Sequence, residues 1–326
     1  MKFTRRGFFQ RAIGAFALPA SWKFASAQTY PSRPIRLVAG VPAGGSFDKV
    51  AQILGRRLTQ RVGQPIIVEN RPGRGTIDAT EAVASAAADG HTLLLVNVAA
   101  AVNPTLYDNL NYDFQRDFAP VASLTREACV FAVHPSFPAK TLDEFVRFAR
   151  RPEASITVGS PGHATIAHLS GEWLKLRTGI DVVYVQYRGG RPMLQDVLSG
   201  KLPAIVGTIG GPLQHIKGGR LRALAVTTSE RLRDLPDVPA AGEFLPGYEA
   251  TVWSGVALPR ETPSEIVERL NAEINATLAD AKIQMQLSEL AGSAFVAGSP
   301  IDFETLIAED TRKWGAVIRA ANIKLR

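Results

Sequence analysis

The chain has 326 residues, 46% of them hydrophobic and 21% charged, with a formal net charge of +7 and a sequence pI near 9.7. This composition is too apolar for a disordered or fibrous chain, and the length suits two ordinary domains. A single cysteine, Cys129, excludes an internal disulfide, a cysteine-rich zinc site and a CxxC redox pair.

A pI this high points first to nucleic acid or an anionic membrane, so the position of the charge matters. Lys2, Arg5, Arg6, Arg11 and Lys23 fall within residues 1–27, which hold no Asp or Glu. The remainder carries 32 basic against 30 acidic side chains, a net +2. The leading segment reads as an export signal. It runs from basic Thr4-Arg5-Arg6-Gly7-Phe8-Phe9 through an apolar stretch, Ala12 to Ala20, to the small-x-small pattern Ala25-Ser26-Ala27. The apolar stretch is too short to span a bilayer. The paired arginines before Phe8, with Lys23 ahead of the cleavage site, resemble a twin-arginine signal. Cleavage after Ala27 would leave 299 residues in the periplasm. No cysteine follows that site, so no lipoprotein anchor is expected. Export also removes nucleic acid as a partner.

The mature chain alternates short apolar runs with helical patterns. Ile35 to Val41 reads as a strand, Phe47 to Val62 as a helix and Ile66 to Glu69 as a strand. Ile77 to Ala88 reads as a helix and Leu93 to Asn97 as a strand. This rhythm predicts a parallel sheet with helices on both faces. A second set follows: strands at 130–133, 156–159, 182–185, 204–206 and 224–226, with helices at 142–150, 165–178 and 192–198. The last third reads as mostly helical. Pro263 opens one helix, with Ile266, Leu270, Ile274 and Leu278 on one face, and another runs from Pro300 to Arg319. Two α/β units of similar size predict two lobes, with the terminal helices packed back on the first. Lobe 1 is expected over 28–126 plus 250–326, lobe 2 over 127–249, with a ligand cleft between them.

Three loops have the same design, a glycine-rich turn from a strand into a helix. They are Val41 to Asp48, Gly159 to Thr165 and Tyr187 to Pro192. Glycines let backbone N–H groups approach a ligand, and a helix start adds unpaired donors with partial positive charge. The alternative for each loop is a plain turn with no ligand. The first lacks the Lys of a GxxxxGK[ST] loop and the spacing of GxGxxG, which disfavours nucleotide binding. Asp48 is expected to cap the first turn of its helix.

Catalytic and metal constellations are weak. The nearest approach to a G-x-S-x-G elbow, Val158-Gly159-Ser160-Pro161-Gly162, lacks the first glycine and places Pro161 after the serine. The five histidines, His91, His134, His163, His168 and His215, show no HExxH or i,i+4 pair, so no metal is expected. His168 reads as a packed or hydrogen-bonded histidine and Cys129 as a buried thiol. No cofactor and no catalytic residue is assigned. A periplasmic hydrolase with a non-standard site is the alternative from a different class, and a sensor partner of a membrane kinase would use the same cleft.

The ordered segments "YPSRPIRLV", "VPAGGSFD", "GQPIIVENRPGRG", "DGHTLLL", "NPTLY" and "DFAPVASL" resemble the substrate-binding proteins of tripartite tricarboxylate transporters, the Bug family of periplasmic solute receptors. The resemblance continues through "HPSFPAKTLDE", "HLSGEWLK", "VQYRGGRPMLQDVLSGKL" and "PSEIVERLNAEIN" and covers nearly all of the mature chain. It implies a two-lobed, type II-like periplasmic binding protein that closes on a small carboxylated solute and delivers it to a membrane permease. A monomer is expected. The site it implies comprises Pro42, Ala43, Gly44, Gly45 and Ser46 on the first loop and Gly162, His163, Ala164 and Thr165 on the second. Asn97, Arg188 and Thr208 are added at neighbouring strand ends and on the third loop.

Three departures from the family pattern make the cleft less polar. Where members carry a Gly/Ser/Thr run with a histidine before "NP", this chain has Asn97-Val98-Ala99-Ala100-Ala101-Val102. Before "HL" it keeps Thr165 but has His163, Ala164, Ile166 and Ala167. After "SGKL" it has Ala204-Ile205-Val206-Gly207-Thr208-Ile209. An unpaired buried polar group costs ~1–3 kcal/mol. A ligand less polar than citrate is therefore expected, an aromatic or aliphatic mono- or dicarboxylate.

Overall fold

The computed structural model describes residues 30–291 and 297–325. The expected export signal, including the cleavage site after Ala27, lies outside the described residues.

The first lobe begins with β1 (Ile35–Ala39), α1 (Ser46–Val62), β2 (Ile66–Asn70), α2 (Ile77–Ala84), β3 (Thr92–Asn97), α3 (Ala99–Leu106) and the short α4 (Phe114–Asp117). A 16-residue strand, β4 (Phe118–Val133), then carries the chain into the second lobe. There follow α5 (Leu142–Ala149), β5 (Ile156–Ser160), α6 (Ile166–Thr178), β6 (Val182–Gln186), α7 (Gly190–Leu198) and β7 (Ala204–Thr208). Then come α8 (Leu213–Lys217), β8 (Arg222–Val226) and α9 (Ala241–Phe244). The chain returns through β9 (Thr251–Pro259) and ends in α10 (Ser264–Leu278), α11 (Ala281–Ala291) and α12 (Pro300–Ala320).

The strands run in the order β2-β1-β3-β9-β4-β7-β5-β6, with β8 on the other side of β4. β4 serves both lobes. Its first part pairs with β9, from Phe118↔Pro259 to Ala128↔Thr251. Its last five residues pair with β7, from Cys129↔Thr208 to Val133↔Ala204, while Val130 to Val133 also pair with β8. The parallel arrangement expected from the strand–helix rhythm holds for β1 with β2 and β3, and for β5 with β6 and β7. Every pairing of β4 and β9 is antiparallel instead. The reason is topological: β4 leaves the first lobe and β9 returns to it, side by side and in opposite directions.

Two strands departed from the sequence reading for local reasons. β9 falls in the third read as helical, since Ser254 and Gly255 interrupt its apolar run. It is nevertheless central, and Trp253 and Val256 to Leu258 have no exposed surface. β4 begins 12 residues before the expected strand at Val130, and register shifts after Pro120 and Ser123 break its pattern. Helix α3, with Pro104 inside it, was also not expected.

The helices pack by their apolar stripes. Leu270, Ile274 and Leu278 of α10 are 0–2% exposed in a cluster with Val121 and Leu124 of β4. Each such side chain contributes ~1.5–3 kcal/mol on full burial. α12 starts in a capping box, with Ser299 and Asp302 each accepting the other's backbone N–H, and Pro300 in its first turn. Its Trp314 meets Trp173 of α6 edge-on at 5.9 Å, and Trp173 stacks on Tyr248 at 4.4 Å. The last helix therefore touches an element of the second lobe.

Candidate functional site

One cavity, of about 690 Å³, opens among the segments that follow β1, β2, β3, β5, β6 and β7. These are carboxyl ends of strands, where open α/β sheets place their ligands. Much of its wall is apolar, with Phe47, Val98, Val102, Leu106, Met193 and Leu194 prominent.

Five of the expected site residues line this cavity: Asn97, His163, Ala164, Thr165 and Thr208. Each is positioned by local structure. Thr165 is the N-cap of α6. Its hydroxyl accepts the His168 backbone N–H at 3.3 Å and donates to the Gly162 carbonyl at 2.8 Å. That hydroxyl is thus already occupied within the loop. Ala164 holds a left-handed conformation, φ 55°, at the cavity wall. Asn97 takes the Ala99 N–H on its side-chain oxygen at 2.9 Å, capping the start of α3.

The first loop behaves differently. Pro42, Ala43, Gly44, Gly45 and Ser46 do not line the cavity; the next residue, Phe47, does. Gly44 adopts φ 87° and donates its N–H to Asp48 at 2.8 Å. Asn70 clamps the loop from β2 with one amide nitrogen that reaches Asp48 at 2.9 Å and the Val41 carbonyl at 3.1 Å. These hydrogen bonds hold the Asp48 carboxyl below its ordinary pKa. Asp48 therefore fills the start of α1, as expected, and consumes one of the loop's donors. Gly162 and Arg188 also lie off the wall, whereas Arg191, three residues along the same loop, lines it.

The apolar departures divide in two. Val98, Ala99, Val102, Ala164, Ile166 and Ala167 face the cavity, as the sequence suggested. Ile205, Val206 and Ile209 are instead buried in the protein core, so the third departure reaches the cleft only through Thr208. The cavity also uses residues that the motifs did not single out. Thr76 sits at φ 79°, strained for a β-branched residue, and nothing in the sequence signals it. Asn103 and Tyr107 lie within "NPTLY", a segment read only for family likeness. Leu325 comes from the tail after α12.

Two ionisable groups with shifted pKa values sit beside the cavity. His168 is 4% exposed, and burial lowers its pKa to about 4, with His163 and Lys175 adding repulsion. It is neutral at pH 7, and its Nδ1 accepts the Ala164 N–H at 3.2 Å. This is the packed, hydrogen-bonded histidine expected. Glu127 of β4 is half-buried, and desolvation pushes its carboxyl up to about 7, offset in part by hydrogen bonds from the Gly210 N–H and the Thr208 side chain. Cys129, two residues on, is fully buried with its thiol pKa raised. Beyond His168, His163 Nε2 lies 2.9 Å from the Lys324 carbonyl. His163 and Leu325 also border a second hollow behind the tail.

Residues 50–323 match the family model described as the tripartite tricarboxylate transporter family receptor. This chain belongs to that family. Protein BugT of Bordetella pertussis is 33% identical over 304 residues, covering 92% of this chain and 93% of BugT. An R. palustris protein solved with adipate is 30% identical, with a TM-score of 0.75 and coverage of 91% of this chain and 100% of that one. MatC from Rhodopseudomonas palustris, solved with bound malate, is also 30% identical, with a TM-score of 0.70 and coverage of 89% and 100%. The family's members are substrate-binding receptors, and the two-lobed fold is that of periplasmic binding proteins. Among the described residues no helix is long and apolar enough to cross a membrane.

Proposed function

We propose that this chain is a periplasmic receptor. It captures a small carboxylated solute less polar than citrate and hands it to the membrane permease of a tripartite tricarboxylate transporter. The observation that carries the reading is the cavity of about 690 Å³, with a largely apolar wall, at the strand ends of a family receptor fold. The carboxylate ligands of two relatives, adipate and malate, support the ligand class. Lobe 1 comprises 28–126 plus 250–326 and lobe 2 comprises 127–249; they close by bending near Leu124 to Cys129 and near Glu249. Asn97, His163, Ala164, Thr165 and Thr208 contact the ligand, and the loop from Pro42 to Ser46 lies at the rim. The protein acts as a monomer, without cofactor or chemistry of its own. It is exported by a twin-arginine signal cleaved after Ala27.

A thermal-shift screen of the mature protein against a carboxylate panel tests this. A ligand at 100 times its dissociation constant stabilises by ~2.7 kcal/mol. Shifts with aromatic or aliphatic carboxylates are expected; shifts with citrate-like compounds alone would overturn the apolar-ligand reading.

A further inference from the structure

The walls of the cavity carry charge unequally. Among the described residues lining it, Arg191 is the one with a fixed charge. It makes no ion pair among the described residues, and it stands in the first turn of α7, a turn with no acidic side chain. A cation at the positive end of a helix is unfavourable until an anion joins it. The first turn of α6, on the same side, also lacks an acidic residue.

The facing wall is the reverse. Asn97, Asn103, Thr76 and Tyr107 line it, all uncharged. The helix starts nearby are already served by the protein's own side chains: Asp48 on the α1 loop, Asp78 in the first turn of α2 and the Asn97 amide at α3. Arg74, beside Gly75 and Thr76, is already paired with Asp78 and Glu81, so a carboxylate brought there would meet no unpaired cation on the wall and the Asp48 charge nearby.

We propose that the cavity selects a monocarboxylate with an apolar aromatic or aliphatic body and binds it in one orientation. The carboxylate lies at Arg191 and the start of α7. The body runs along Val98, Val102 and Leu106, and the uncharged end meets Asn97 and Asn103. Arg191 is then the residue that sets charge selectivity. The inference rests on the receptor reading above and narrows its ligand class.

Calorimetric titration of the mature protein with pairs of matched length tests it: hexanoate against adipate, and 4-methylbenzoate against terephthalate. The monocarboxylate of the better pair should bind about tenfold or more tightly than its dicarboxylate, a difference of ~1.4 kcal/mol. Arg191→Gln should lose about tenfold for the monocarboxylate, while Arg188→Gln, on the same loop but off the wall, should bind as wild type. Circular dichroism establishes that both variants fold. Tighter binding of the dicarboxylate, or unchanged affinity in Arg191→Gln, overturns this inference and leaves the receptor reading standing. Binding of neither class at millimolar concentration overturns both.

Discussion

The indole N–H of Trp253 donates to the Asp310 carboxylate at 2.7 Å, in the interior of the protein. Trp253 lies on β9 and has no exposed surface; Asp310 lies on α12 and is 3% exposed. Lys313 approaches the other Asp310 oxygen at 2.6 Å and donates to the Glu249 carbonyl at 3.1 Å. One buried carboxylate thus ties the last helix to the central strand and, through Lys313, to the segment where the chain re-enters the first lobe. Asp310→Ala strands the indole N–H and should cost about 2–3 kcal/mol in urea denaturation. A loss under about 0.5 kcal/mol would show that the contact carries no stability.

His168 makes stability fall with acid. Its pKa drops from an ordinary 6.5 to about 4 in the folded protein. The unfolded chain therefore takes up a proton between pH 6.5 and 4 that the native state refuses. Stability from this group is complete above pH 6.5 and is lost as pH falls, by about 2 kcal/mol at pH 5. His168→Gln should flatten that part of the profile. An unchanged acid slope in the variant would remove His168 as its source.

Glu127 acts in the opposite direction. Its pKa rises from 4.5 to about 7 in the folded protein. The unfolded chain gives up its proton first, so stability is lost as pH climbs from 4.5 through 7. Glu127→Gln keeps a hydrogen-bonding side chain without the charge. It should be more stable than wild type at pH 8 by about 1–3 kcal/mol, and no more stable at pH 4. Equal stabilities at pH 8 would show that solvent reaches the carboxylate.

Gly40 guards the cavity from behind. A Cβ there would lie 2.7 Å from the Thr76 Cβ and 2.9 Å from its Cα. Thr76 is held at φ 79° and flanks Gly75 on the cavity wall. Gly40→Ala should cost about 1–3 kcal/mol through overpacking. It should also weaken ligand binding although Gly40 does not line the cavity. Wild-type affinity in a destabilised variant would show that the wall absorbs the shift.

The parallel units were legible because their strands are short, apolar and followed by glycine turns into amphipathic helices. Ile35, Leu37 and Leu93 are fully buried where the pattern put them. β9 was not legible, because a strand buried on both faces shows no alternation and Ser254 breaks its apolar run. The Ser254 hydroxyl is instead matched across the ladder by Thr125 at 2.6 Å, a partner 129 residues away. At the site, the second loop could be read because capping is local, from Thr165 to His168. A loop motif gives no direction to its side chains, so it points to Arg188 when Arg191 is the one that lines the cavity. Thr76 and Leu325 reach the cavity through tertiary placement alone.

The path of β4 and β9 also orders the events of folding. The strands β5, β6 and β7 follow one another closely in the chain and need no residue beyond β7 to pair with each other. The first lobe cannot finish its sheet until β9 slots between β3 and β4, more than 150 residues after β3 is made. Until then β3 presents an open edge, a row of unpaired amides beside Leu93, Leu94 and Leu95. A late-arriving middle strand makes the first lobe slow to complete. It also makes the nascent chain vulnerable to self-association where the folded receptor has no exposed edge at all: at its centre.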